Sequence, residues 1–186
     1  MFAAVIDGFL SKCAEQEEYA RGIPAGREIQ DIPVINKPTA WRLVVQKHPA
    51  ERAGDHYDVR LVDDASGYAH SWATRKGIPE PGKKVMLFQQ PTHTAAYSDY
   101  EGPLLGGYGK TRDGGIVEKV VDVPVEVTRS DRNLVRFNFN EGDVSREMLM
   151  VRDRRSPKSW YFTRVSKTPR GENENQSERR RAFNDS

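Results

Sequence analysis

The sequence predicts a mainly β domain, a barrel or a sandwich, and three observations support this. The chain has 186 residues, of which 37% are hydrophobic and 30% charged, which suits one domain with a modest core and extensions. Between residues 42 and 165, short runs rich in β-branched and aromatic residues recur at regular spacing. Turn-forming clusters separate these runs, as at Asp63–Gly67 and Pro79–Gly82. Many short strands at regular spacing are typical of barrels and sandwiches.

Residues 1–40 are predicted to form an N-terminal helix and an arm. Apolar residues recur at helical spacing from Phe2 to Cys13, and three glutamates follow. This pattern indicates an amphipathic helix that docks on the domain or on a partner. Residues 20–40 contain three prolines, two glycines and mixed charge, which indicates a linker or a loosely laid arm.

Residues 41–168 are predicted to form the β domain. The candidate strands are Arg42–Lys47, Tyr57–Val62, Tyr68–Thr74, Lys84–Phe88, Ile116–Asp122, Val125–Thr128, Leu134–Asn138, Glu147–Arg152 and Trp160–Val165. Three tryptophans, Trp41, Trp72 and Trp160, are interpreted as core residues rather than base-stacking platforms. His70 alternates with Trp72 and is interpreted as structural or surface-exposed.

Residues 169–186 are predicted to be a disordered polar tail. They contain mainly Glu, Asn, Gln, Ser and Arg, with a single aromatic residue. Such a composition cannot bury enough apolar surface to become ordered. Arg179–Arg181 could contact nucleic acid or form part of a targeting signal, although a solvated tail is the simpler interpretation.

Charge and cysteine content limit the classes of function. The formal net charge of +2 argues against bulk packaging of nucleic acid, but it leaves room for a local basic patch. Cys13 is the single cysteine, so an internal disulfide is excluded and a reducing compartment is favoured. No apolar run is long enough for a membrane span, and no secretory signal is evident. We therefore expect an intracellular monomer, nuclear if eukaryotic and otherwise cytoplasmic.

One alternating segment carries the chemistry. In the predicted strand His56-Tyr57-Asp58-Val59-Arg60-Leu61, the polar residues project from one face and the apolar residues from the other. His48 ends the preceding strand, and two imidazoles with a carboxylate suit Mn²⁺, Zn²⁺ or Fe²⁺ better than Ca²⁺. A guanidinium beside them suits an anionic phosphate. The segment therefore predicts a divalent metal next to a phosphate, with positions left for water and substrate.

The order of motifs from Trp41 to Lys167 resembles the 3′-phosphoesterase domain of bacterial DNA ligase D and its stand-alone relatives. The resemblance is carried by Gln46-Lys47-His48, His56-Tyr57-Asp58-Val59-Arg60-Leu61, Ser71-Trp72-Ala73, Lys76-Gly77, His93, Tyr97, Glu101-Gly102 and Gly107-Tyr108-Gly109. It implies a compact β-barrel with a site at its rim. It also implies manganese-dependent removal of 3′-phosphates, and of terminal 3′-ribonucleotides, from DNA or RNA–DNA primer ends, with a repair ligase or polymerase as a possible partner.

The resemblance also implies a role for each site residue. His48, His56 and Asp58 would hold the metal, most simply Mn²⁺. Arg60 and His93 would contact the scissile phosphate, and a protonated His93 could add charge or donate a proton to the leaving 3′-oxygen. Tyr97 and Lys76 would complete the catalytic pocket, and Lys84 would be a further substrate-binding residue.

Two other functions remain open from the sequence. One is a nucleic-acid-binding module of the same fold with little or no catalysis, against which the complete set of metal-ligating and phosphate-binding residues argues. The other is a phosphomonoesterase for a different, smaller substrate, which the near-neutral net charge permits.

Overall fold

The computed structural model describes residues 31–50, 54–103 and 116–165. These three ranges contain nine strands and one 3-10 helix, in this order: β1 Thr39–Ala50, β2 Gly54–Asp63, β3 Tyr68–Thr74, β4 Lys84–Thr94, the 3-10 helix Ala95–Asp99, β5 Gly102–Pro103, β6 Ile116–Asp131, β7 Leu134–Glu141, β8 Val144–Arg152 and β9 Ser159–Arg164.

Eight of these strands close into an antiparallel barrel. Their order is β1-β2-β3-β4-β9-β8-β7-β6, and β6 pairs back to β1, while the short β5 adds to β6. Closure leaves these eight strands without a free edge, which removes a template for aggregation. The prediction of a mainly β barrel is confirmed.

The barrel interior holds the hydrophobic core. Alternate residues of each strand point inward, as on β4, where Val85 and Leu87 are buried while Lys84 and Met86 are exposed. The predicted core tryptophans are all buried: Trp41, Trp72 and Trp160.

His70 is also buried, and its ring stacks on Trp41 with centroids 5.8 Å apart. Burial lowers the pKa of His70 to about 4, so the imidazole is neutral at pH 7. Of the two predicted roles, structural or surface-exposed, the structural role of His70 is confirmed.

Two predicted strands, Ile116–Asp122 and Val125–Thr128, form the single strand β6. Pro124 lies between them, and a proline in a sequence usually ends a central strand because it cannot donate to the ladder. In the structure Pro124 lies opposite Arg42 of β1, whereas pairing of β6 with β7 begins only at Val125. Pro124 therefore lies just before the β7 ladder begins, and the strand continues through it.

A second layer covers the outer face of β1, β2 and β3, and the sequence did not predict it. Strand β4 runs to Thr94 rather than Phe88, and the 3-10 helix and β5 follow it. The Gln46 side chain of β1 donates to the carbonyl of Tyr100 at 2.6 Å and lies 3.3 Å from that of Ser98. These bonds hold residues 95–103, called the covering segment below, against the barrel.

Arg42 of β1 provides a second attachment for this layer. Its guanidinium contacts Asp64, Asp99 and Asp122 at 2.9 to 3.2 Å. Asp99 ends the 3-10 helix, so the ion pairs tie that helix to the β2–β3 turn and to β6. These carboxylates raise the pKa of Arg42 above its ordinary value, and the guanidinium stays charged.

Some predictions fall on residues outside the described ranges: the Phe2–Cys13 helix, the Gly107-Tyr108-Gly109 motif and the tail from residue 169.

Upstream of the predicted domain start at Trp41, Ile32 is buried in the core and Ile35 exchanges backbone hydrogen bonds of 3.0 Å with Ser130. Among the described residues, no helix is long and apolar enough to span a membrane.

Candidate metal and phosphate site

The register of β1 and β2 brings the three predicted metal ligands together. His48 lies directly opposite His56, and Asp58 follows two residues later on the same face. One ligand atom from each residue lies within 4.8 Å of the others. Two donors on one ion at about 2.0–2.3 Å can be separated by at most about 4.6 Å. The cluster is therefore close to the size that a divalent ion needs, and the predicted shared face is confirmed.

The local hydrogen bonds orient two of these ligands. His56 Nδ1 lies 3.0 Å from the Gly54 carbonyl oxygen, which can only accept, so Nδ1 carries a proton. With the proton on Nδ1, Nε2 is the ring nitrogen left to bind a metal, and it lies 3.5 Å from Asp58 Oδ1. This arrangement of a ligand atom on one side of the imidazole and a carbonyl on the other is usual in metal sites.

Asp58 links the metal ligands to Arg60. Its Oδ1 faces His56, while its Oδ2 accepts a hydrogen bond of 2.8 Å from Arg60 Nη2. Arg60 is only 1% exposed, and its guanidinium lies 5.0 Å from the centre of the Tyr97 ring. Its Nε and Nη1 have no hydrogen-bond partner among the described residues. A buried cation with two unsatisfied nitrogens is costly unless a ligand supplies acceptors.

His93 lies on the other side of the same cavity, on the extension of β4. Its ring stacks on Tyr97 with centroids 4.9 Å apart and planes at 12°. His93 Nδ1 lies 2.9 Å from the hydroxyl oxygen of Ser71. The predicted phosphate-contacting residues Arg60 and His93 thus both pack against Tyr97, which the 3-10 helix positions.

The ionisation of His93 differs from the interpretation that allowed it to be protonated. Burial, and then the nearby charge of Arg60, lower the pKa of His93 to about 4, against a smaller opposing effect of Asp58. At neutral pH the imidazole is therefore neutral. It can offer one N–H or one lone pair, but not a positive charge.

Six predicted site residues line one cavity of about 270 Å³. They are His48, His56, Asp58, Arg60, His93 and Tyr97. Lys76 and Lys84 do not line this cavity. They line an adjoining groove of about 600 Å³, which shares His56, Ala73 and Gln90 with it. The structure thus separates a charged pocket from a longer groove.

Two contributions were not predicted from the sequence. Ser71 is buried, contacts His93 and lies opposite Arg60 in the β2–β3 ladder. The sequence signal that could have identified Ser71 is its place in the motif Ser71-Trp72-Ala73. The second is the covering segment itself, which places Tyr97 over Arg60. Its five-residue helix is too short for a periodic pattern to identify.

The chain was also compared with known proteins. Neither the protein-family models nor the curated proteins include a match to it.

Proposed function

We propose that this protein is a divalent-metal-dependent phosphoesterase that removes 3′-phosphates, and terminal 3′-ribonucleotides, from DNA or primer–template ends during DNA repair. One observation carries the proposal: three metal-type ligands lie within 4.8 Å of one another, and Asp58 joins them to a buried arginine with two nitrogens that lack hydrogen-bond partners among the described residues. A phosphate ester beside a metal would satisfy both features at once.

The metal ligands and Arg60 would have different roles in phosphoryl transfer. A divalent ion held by His48, His56 and Asp58 would withdraw charge from a phosphoryl oxygen and activate water for attack. Arg60 would donate its unused N–H groups to the other phosphoryl oxygens. Since such reactions depend mainly on positioning and charge stabilisation, a buried, preoriented guanidinium is well suited to the transition state.

His93 would act as a neutral hydrogen-bond donor. If the Ser71 hydroxyl donates to Nδ1, the ring N–H is on Nε2 and can donate a hydrogen bond to a phosphoryl oxygen or to the leaving 3′-oxygen. Tyr97 would hold both phosphate-binding side chains in place by packing against their flat groups.

The adjoining groove favours a polymeric substrate over a small one. Lys76 and Lys84 line a groove more than twice as large as the pocket and continuous with it. A small phosphate ester would leave that groove unused, whereas a nucleic-acid strand would place its backbone near both lysines. The motif resemblance to 3′-phosphoesterases points to the same substrate class.

The donor set also bears on the metal. Two nitrogens and one oxygen suit Mn²⁺, Zn²⁺ or Fe²⁺ and are poor for Ca²⁺. We propose Mn²⁺ because the resemblance implies it, and activity with each ion separately would decide among them.

The test is release of phosphate from a recessed primer that ends in a 3′-phosphate, with and without Mn²⁺. We expect turnover only with the metal, and a much lower kcat/KM for a small phosphate monoester. Tight primer binding without turnover in any divalent metal would favour the binding-module alternative. Equal kcat/KM for both substrates would favour the small-substrate alternative.

A further inference from the structure

An exposed apolar stripe lies beside the cavity, on the outer face of β4 and β9. Met86, Phe88 and Tyr161 are 44%, 50% and 37% exposed. Met86 lies directly opposite Tyr161 in the ladder, and Phe88 follows two residues later on the same face. All three line the 600 Å³ groove. Contiguous exposed apolar side chains that line a groove commonly mark a binding site.

The stripe is continuous with the metal ligands across the sheet. In the β2–β3 ladder Asp58 lies opposite Ala73, and in the β3–β4 ladder Ala73 lies opposite Phe88. Neighbouring strands are about 4.8 Å apart, so the Asp58 and Phe88 backbones are about 10 Å apart. Ala73, the β3 residue that separates Asp58 from Phe88 in these ladders, has a small side chain, so it leaves the groove open between them.

The surroundings of the stripe are suited to a polyanion. Lys76 and Lys84 are exposed and line the same groove. The Tyr161 ring is held by a hydrogen bond of 3.3 Å from its hydroxyl to Asp153. Aromatic faces flanked by lysines are the combination with which proteins bind single-stranded nucleic acid.

We propose that Phe88, with Met86 and Tyr161, forms a stacking platform for unpaired nucleobases next to the 3′ end of a nucleic-acid strand. The proposal rests on the proposed function, because it places the terminal phosphate at Arg60 and the metal ligands. A distance of about 10 Å corresponds to about three stacked nucleotides at about 3.4 Å each. The bases near the third nucleotide would then reach Phe88.

This platform specifies the form of the substrate. Stacking reads no sequence, because every base has a flat face. A base within a duplex already stacks on its neighbours, so an unpaired or frayed 3′ end would be preferred to a blunt duplex end. On a recessed primer the platform would therefore be reached when the last primer nucleotides fray from the template, and unpaired 3′ ends of any sequence would be processed faster than paired ones.

The test uses the full chain in EDTA, so that binding is measured without turnover. The probe is a single-stranded oligonucleotide with a 3′-phosphate and 2-aminopurine at the third nucleotide from that end. We expect the protein to change the 2-aminopurine fluorescence, and an abasic site at that position to weaken binding by about 5- to 150-fold. Phe88→Ala should remove most of this base dependence, and Phe88→Trp should retain it. Tyr68→Ala is the matched control, since Tyr68 is 38% exposed and lies outside the groove.

Phosphate release with Mn²⁺ is measured separately on the same oligonucleotides. Release that is indifferent to the abasic site and to Phe88→Ala would overturn the platform and leave the proposed function standing. Base-dependent binding that Phe88→Ala removes, without release in any divalent metal, would support the platform and refute the proposed function. If Phe88→Ala instead changes only the sedimentation of the protein, the stripe is a contact between copies and the proposal is wrong.

Discussion

Replacement of Arg60 by methionine should reduce catalysis much more than it reduces stability. Methionine keeps an unbranched apolar stem against Tyr97 but removes the guanidinium. If Arg60 stabilises the charge that develops on the phosphoryl group, its loss should raise the barrier by about 3–4 kcal/mol, a fall in kcat/KM of about 10²- to 10³-fold. Arg60→Lys should recover part of this, because it restores a charge without the paired N–H geometry.

Arg60→Met should destabilise the fold little, because two terms oppose each other. Arg60→Met removes the charge-assisted hydrogen bond to Asp58 at 2.8 Å, which contributes about 1.5–3 kcal/mol. It also removes two buried nitrogens, Nε and Nη1, which carry three N–H groups without partners among the described residues. Each unsatisfied nitrogen costs about 1–3 kcal/mol in the free protein. The largest loss from the first term is about 3 kcal/mol and the smallest gain from the second is about 2 kcal/mol, so the free energy of unfolding should fall by no more than about 1 kcal/mol.

Two measurements test this reasoning: 3′-phosphate release with Mn²⁺, and urea denaturation. Arg129→Met is the matched control, since Arg129 is exposed and makes only a 4.0 Å ion pair with Asp131. It should change neither quantity by much. An Arg60→Met protein with unchanged kcat/KM would refute the role of Arg60, and one that unfolds would refute the balance of terms.

Two further predictions concern buried groups near the site and in the core. The pKa of His70 is lowered to about 4 in the folded protein, so only the unfolded chain takes up a proton as pH falls from about 6.5 to about 4. His70 therefore contributes its full stability above pH 6.5 and loses that contribution as the pH falls through this window. Between pH 7 and pH 4, the free energy of unfolding of the wild type should fall by about 3 kcal/mol more than that of His70→Gln, as measured by urea denaturation in EDTA. A difference independent of pH would contradict this. Ser71→Ala should lower kcat/KM about 2- to 13-fold by loosening His93, while the exposed Ser145→Ala should have no effect. Equal kcat/KM for the two variants would show that Ser71 does not position His93.

The parts of the fold predicted from sequence are those that depend on local pattern. Alternation along β2 placed His56, Asp58 and Arg60 on one face because side chains of a strand point to opposite sides in turn. The turn residues between β2 and β3 also act locally: Asp63 accepts a backbone hydrogen bond of 3.1 Å from Ala65.

The parts that were wrong or missed depend on contacts distant in sequence. The predicted strands on the two sides of Pro124 form one strand, β6, and this was missed because the sequence cannot show on which side of that strand a partner lies. The neutral state of His93 follows from burial beneath the covering segment, and no local pattern predicts that burial. Lys76 was predicted to complete the catalytic pocket and Lys84 to bind substrate. Both line the adjoining groove rather than the pocket, and this placement depends on the strand order, not on a local pattern.

Titration of the protein with Mn²⁺, followed by the electron paramagnetic resonance signal of the free ion, tests the central claim most directly. His48, His56 and Asp58 should bind one Mn²⁺ ion per chain. Asp58→Asn should weaken binding at least about tenfold, because it removes an anionic ligand. The exposed Asp143→Asn should bind as the wild type does. If wild-type and Asp58→Asn proteins bind Mn²⁺ equally, or if neither binds it, these residues do not form the metal site.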